Sequence, residues 1–197
     1  MNPGTEPKLA PPGAGLPRPE LLVARLLFAL RRRTGTPAAF TAHFLAERQA
    51  VGALIAPCDA ATGARRVLIQ RLRGLEDSSR NWSVWMTLDH LRIVHLVVAE
   101  AITALKSETV PEGTASTAAV KPSPAADIGI IGPYEASCDA LLATVAGAPD
   151  LKTRARFAHP WFGPLDAAGW HALAGIHLRI HRVQLERIFG GLATAGT

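Results

Sequence analysis

Three observations predict an all-α fold. Apolar residues recur at helical spacing over long stretches, helix-start signals precede those stretches, and no stretch alternates in the manner of a half-buried strand. No internal repeat appears either, which sets aside a solenoid.

Residues 1–17 carry five prolines and three glycines and are read as a flexible arm ahead of a helical domain spanning 18–197. A first helix is expected from Pro19 to about Arg33. "GTP" at 35–37 restarts the chain: Thr36 can cap a helix, and Pro37 suits its first position because the missing N–H has no partner there anyway. That helix is expected over 37–56, with "APCDAATG" as its break and "ARRVLIQRLRGL" as a further short helical piece. After the turn "EDSSRNWS", Ser83 is placed to cap a long helix over 84–106. Residues 107–127 are rich in Thr, Ala, Ser and Pro without an apolar period, and read as a long, mobile crossover link. Pro133 is expected to open a helix over 133–146 that Gly147 stops. "FAHPWFGPL" forms an aromatic loop, and Asp166 caps a final helix over 166–190 that ends at Gly190–Gly191.

The composition removes several function classes. A net charge of +5 is modest, and the cluster Arg31–Arg33 has no aromatic interleaving, so it reads as a solvated basic face and no nucleic acid is expected. Cys58 and Cys138 are the two cysteines, neither in a CxxC, which excludes a disulfide framework; Cys138, beside Leu141 and Leu142, reads as an inert core thiol. The N-terminus lacks a signal-peptide layout, and the most apolar runs are too short and too charged to span a bilayer. A soluble, cytoplasmic protein without a membrane partner is the expectation.

The histidines carry the chemistry. On the final helix, with about 100° per residue, His177 and His181 fall within the apolar face defined by Trp170, Leu173, Ala174, Ile180, Gln184, Leu185 and Ile188. His171 falls on the opposite, solvent side with Arg179, Arg182 and Glu186. Two rings one turn apart can aim nitrogens at one point, but HxxxH also arises by chance, so the spacing alone leaves both a core and a metal reading open. On the helix from Val84, His90 lies among Met86, Ile93, Val94 and Val97, whereas His95 lies about 140° away as a boundary residue. His43 has no neighbour that marks it as a ligand.

Two segments carry a family resemblance. "NWSVWMTLDHL", with Trp82, Ser83 and His90, resembles the start of the second helix in the DinB/YfiT superfamily, where a capped helix bears the first metal-binding histidine. "HPWFGPLDAAGWHALAGIHLRIHRVQL" is similar to the superfamily's last helix, whose HxxxH supplies the other two. The resemblance spans roughly residues 36 to 190. It implies a DinB-like four-helix bundle of helices 37–56, 84–106, 133–146 and 166–190, with the N-terminal helix as an addition, and a homodimer. It also implies a metal triad of His90, His177 and His181 holding a divalent transition metal, zinc or nickel first. Activities in the superfamily imply a metal-dependent hydrolase or a thiol transferase acting on a small molecule, with a low-molecular-weight thiol as a cofactor. Three imidazoles leave a coordination position open, as catalytic sites do. His159, Arg80 and Trp82 are candidates for the mouth of such a site; their plainer readings are a loop ring packed on Trp161, a solvated charge and a packing residue at the helix start. A non-catalytic, stress-related metal-binding module is the alternative.

Overall fold

The computed structural model describes residues 7–146 and 151–194. Four long helices build the bundle: α2 (Pro37–Ile55), α4 (Val84–Lys106), α5 (Ile131–Ala146) and α6 (Ala167–Thr194). Helix α1 (Arg18–Thr34) is laid against α6, and the short α3 (Ala60–Ala64) packs on α4. The main packing pairs are α4 with α5, α2 with α6, and α4 with α6. The core runs between them through Phe44, Trp85, Leu88, Ile102, Tyr134, Leu178 and Leu185, all fully buried. No helix among the described residues is long and apolar enough to cross a membrane.

The caps act where the sequence puts them. Thr36 Oγ1 accepts the Ala39 N–H, Ser83 Oγ the Met86 N–H and Asp166 Oδ1 the Gly169 N–H, each satisfying a donor that the first helical turn leaves unpaired. Gly175 permits α2 and α6 to approach closely, since a Cβ there would lie 2.8 Å from the His43 ring.

Several expectations need correction. The segment "ARRVLIQRLRGL" is not helical beyond Ala64, the end of α3: Val67–Leu68 (β1) pairs antiparallel with Asn81–Trp82 (β2), and Arg80 fastens the pair through Nε to the Ile69 carbonyl at 2.8 Å. Within "FAHPWFGPL", Phe157–His159 (β3) and Gly163–Leu165 (β4) form a second small hairpin. Helix α5 begins at Ile131 rather than Pro133, because a 3₁₀ turn over Ile128–Ile130, capped by Asp127 on the Gly129 N–H, feeds directly into it. Helix α6 continues through Gly190–Gly191 to Thr194. Gly191 is there for contact: a Cβ would sit 2.5 Å from Val67 Cγ1, so the glycine seats β1 on the helix instead of ending it.

The expected arm and link are both tied down. The Ala10 N–H donates to Asp77, the Gly13 and Gly15 N–H groups donate to Glu76, and Leu16 is buried. In the link, Thr117 and Lys121 reach the same Glu76 carboxylate, and the Ser123 N–H donates to Asp89. Buried Glu76 thus knots two segments that composition alone marks as loose. Residues 1–6 of the arm and the expected stop at Gly147 lie outside the described residues.

Candidate metal centre

Ser83 sets the start of α4, and His90 follows two turns later on the side facing α6, where His177 and His181 stand one turn apart. The three rings meet at tilted angles, with centroids 4.5 Å apart for His90–His181 and His177–His181 and 5.1 Å for His90–His177. One nitrogen from each lies within 4.8 Å of the others, and His90 Nε2 is 3.1 Å from His177 Nε2.

The surrounding hydrogen bonds fix which nitrogens are bare. His90 Nδ1 lies 2.6 Å from the Val120 carbonyl, an acceptor only, so Nδ1 carries the proton and Nε2 presents a lone pair. Gln184 donates its amide to the Ser79 carbonyl at 2.7 Å, which turns its oxygen toward His181 Nδ1 at 2.6 Å. His181 Nδ1 is therefore protonated as well, and its Nε2 is bare. This is the arrangement in which a metal-ligating histidine is held from behind through its other nitrogen.

His177 completes the fit. Its Nδ1 is buried with no hydrogen-bond partner, so either tautomer leaves that nitrogen unsatisfied, while its Nε2 faces the bare His90 Nε2. A cation bound by all three rings relieves the facing lone pairs at once. Tetrahedral zinc with bonds of about 2.0–2.1 Å would hold its nitrogens roughly 3.4 Å apart, close to the spacing between His90 and His177. Burial, which disfavours the charged imidazolium, lowers the His90 pKa to about 4 and pulls His177 and His181 well below their ordinary value, helped by the rings' mutual repulsion. All three rings are neutral near pH 7, the state a metal requires.

The triad opens on a cavity of about 800 Å³ between α1, α4, α6 and the link. Phe28, Trp161, Phe162 and Trp170 give it an aromatic wall. Helix α1, an addition to the bundle by the sequence reading, forms one side of the cavity through Val23, Leu27 and Phe28.

Of the mouth candidates, His159 lines the cavity. Its Nδ1 accepts the Trp161 N–H at 3.1 Å, which leaves the proton on Nε2, and burial lowers its pKa to about 4. Trp82 stacks on His181 at 6.0 Å and 10° and backs His90 at 5.0 Å, so it packs behind the rings instead of lining the open side. Arg80 does not reach the cavity: its guanidinium is committed to the Ile69 carbonyl and to Asp77 Oδ1.

His95 and His171 are both buried, against the expectation of a boundary and a solvent position. A helical wheel assigns one inner face, but α4 packs on both α5 and α6, and α6 on both α2 and α4. His95 Nδ1 lies 3.2 Å from Ser137 Oγ on α5, and His171 Nε2 lies 3.1 Å from Thr41 Oγ1 on α2. Neither joins the triad. His43 stays half-buried beside Glu47, and Cys138 is a buried thiol whose pKa burial pushes up to about 12. Sequence reasoning missed Gln184, Ser79, Val120 and Lys121. Only Gln184 gave a signal, as the one amide on the apolar face of α6, three residues after His181.

No family model matches the chain, and no curated protein matches it. Among solved structures the chain is similar to the crystal structure of TT2238, a four-helix bundle protein, at 23% identity and a TM-score of 0.56. The match covers 77% of this chain and 98% of that one. It shows a four-helix bundle fold.

Proposed function

We propose that the chain is a DinB-like metalloprotein that binds one divalent transition metal, zinc or nickel, through His90, His177 and His181 and uses it on a small molecule in the adjoining cavity. One observation carries the reading: three neutral imidazoles converge at the end of a cavity, and no further His, Cys, Asp or Glu among the described residues joins the group. Three protein nitrogens leave room for an exogenous ligand, whereas structural zinc sites are closed by four protein ligands.

A metal bound there would supply Lewis acidity and draw the pKa of a bound water or thiol toward neutrality. Val120 and Gln184 hold two rings in the tautomer the metal needs, and Trp82 shields them from water on the far side. The proton on His159 Nε2 gives the aromatic wall a neutral donor with which to orient a substrate. The reaction class is hydrolysis or transfer of a low-molecular-weight thiol to a small electrophile, in the cytoplasm. A homodimer belongs to the same proposal, supported by Leu22, Leu26 and Leu30 standing outward on α1; sedimentation velocity reads it directly.

The test is a panel of activated esters, amides and electrophiles, with and without a small thiol, on zinc- and nickel-loaded protein. Turnover that chelation abolishes and metal restores supports the enzyme. Stoichiometric metal with no turnover of any class replaces it with the non-catalytic module.

A further inference from the structure

The cavity has a charge imbalance that the metal chemistry does not use. Five cationic side chains line it, Arg31, Arg71, Arg73, Arg179 and Lys121, against two carboxylates, Glu20 and Glu76. Each carboxylate is already taken. Glu20 is bonded by Arg71 and by the Gly74 N–H, and Glu76 by Lys121 at 2.8 Å. Arg31, Arg73 and Arg179 make no ion pair among the described residues, and the Arg31 Nε is buried without a hydrogen-bond partner.

All three arginines line the cavity, Arg31 from the end of α1, Arg179 from α6 and Arg73 from the loop beside Glu20 at the start of α1. Burial holds the half-buried His43 ring toward its neutral form, and Arg31 and Arg179 both add to that. The loop bearing Arg73 is seated on α6 where Gly74 touches Ile180 (a Cβ would lie 2.8 Å from Ile180 Cδ1). Arg73 and Arg179 are exposed and Arg31 is half-buried with its Nε unpaired, so guanidinium donors free of any ion pair among the described residues stand at an otherwise aromatic and aliphatic cavity, where an anionic head can reach them.

We infer that the cavity takes a small organic anion with an apolar body. The acidic head is held by Arg31 and Arg179, and the body lies along Phe28, Trp161 and Phe162 toward the histidine triad. The inference rests on the cavity being the substrate site of the proposed metal chemistry and names the substrate class. A carboxylate and a phosphate offer arginine the same paired acceptors, so both heads are tested.

Binding is measured by calorimetry and by the fluorescence of Trp161 and Trp170 on chelator-treated protein, so that no metal–anion bond contributes. The probes are octanoate, octyl phosphate and neutral octanamide. At least one anion is expected to bind roughly 10-fold or more tightly than octanamide, with an advantage that shrinks as salt rises. The R31Q/R179Q double variant, checked for folding by circular dichroism, is expected to lose that advantage and keep octanamide binding, while the exposed R187Q change alters nothing. Which anion binds more tightly assigns the head. Equal affinity for octanamide and both anions, or an anion advantage that survives in R31Q/R179Q, overturns the inference. His177→Ala separates the two readings: anion binding that persists without metal leaves this inference standing when the metal chemistry fails, and metal-dependent turnover with no anion preference does the reverse.

Discussion

The chain buries two kinds of histidine within the same two helices. At His90, His177 and His181, three rings meet, two of them held from behind by a carbonyl or amide oxygen, and their bare nitrogens face one another. At His95 and His171 no second histidine among the described residues faces the ring. His95 Nδ1 lies beside the Ser137 hydroxyl and the Cys138 thiol, His171 Nε2 beside the Thr41 hydroxyl, and one nitrogen of each, His95 Nε2 and His171 Nδ1, is buried without a partner. All five are desolvated and neutral. The difference teaches that burial does not mark a ligand; convergence of lone pairs, with the opposite nitrogens pinned, does.

The largest expected effect comes from deleting a ring. Changing His90, His177 or His181 to Ala removes most bound metal from the purified protein, measured by elemental analysis. His95→Ala and His171→Ala cost stability but keep the full metal content. A loss of metal in the latter pair would erase the distinction between the two regions.

A smaller effect sharpens it. Gln184→Leu takes away the acceptor behind His181 and leaves the Ser79 carbonyl unpaired, without touching a ligand. The metal is expected to bind about 10- to 100-fold more weakly, read by competition with a chromophoric chelator. Unchanged affinity would show that the pinned tautomer contributes nothing.

The lone rings answer to acid instead. Burial lowers the pKa of His171 to about 4 and of His95 to about 3, so both are neutral in the folded chain while the unfolded chain protonates them near pH 6.5. Unfolding takes up protons between these values, and stability falls as the pH drops below about 6.5. Each ring should cost about 2 kcal/mol between pH 7 and pH 5. Urea unfolding in chelator measures it, and His171→Gln should lose about 2 kcal/mol less over that range than the parent. An identical pH dependence in both proteins would contradict the assignment.

Much of this was legible in the chain. The caps at Thr36, Ser83 and Asp166 and the apolar faces of α4 and α6 mark the helices; the position of His90, His177 and His181 on those faces marks them as inward, and the family resemblance groups them as a triad. The miss at His95 and His171 has a physical cause: a wheel resolves one buried face, whereas a helix in the middle of a bundle has two. The loops were harder. Residues 107–127 and 7–17 look loose by composition, because what orders them is three distant carboxylates, Glu76, Asp77 and Asp89, taking largely backbone N–H groups, and one carbonyl, that of Val120, bonded to His90. Backbone groups carry no sequence signature. Gly191 misled for a related reason, since a glycine that ends a helix and one that admits a neighbour look alike until the neighbour is known.

X-ray absorption at the zinc edge of the zinc-loaded protein tests the triad most directly. The account expects one zinc per chain, three imidazole nitrogens at about 2.0–2.1 Å and at least one further oxygen, nitrogen or small-thiol ligand from outside the chain. Fewer than three imidazoles at the metal, or a cysteine sulfur from this chain among its ligands, would contradict it.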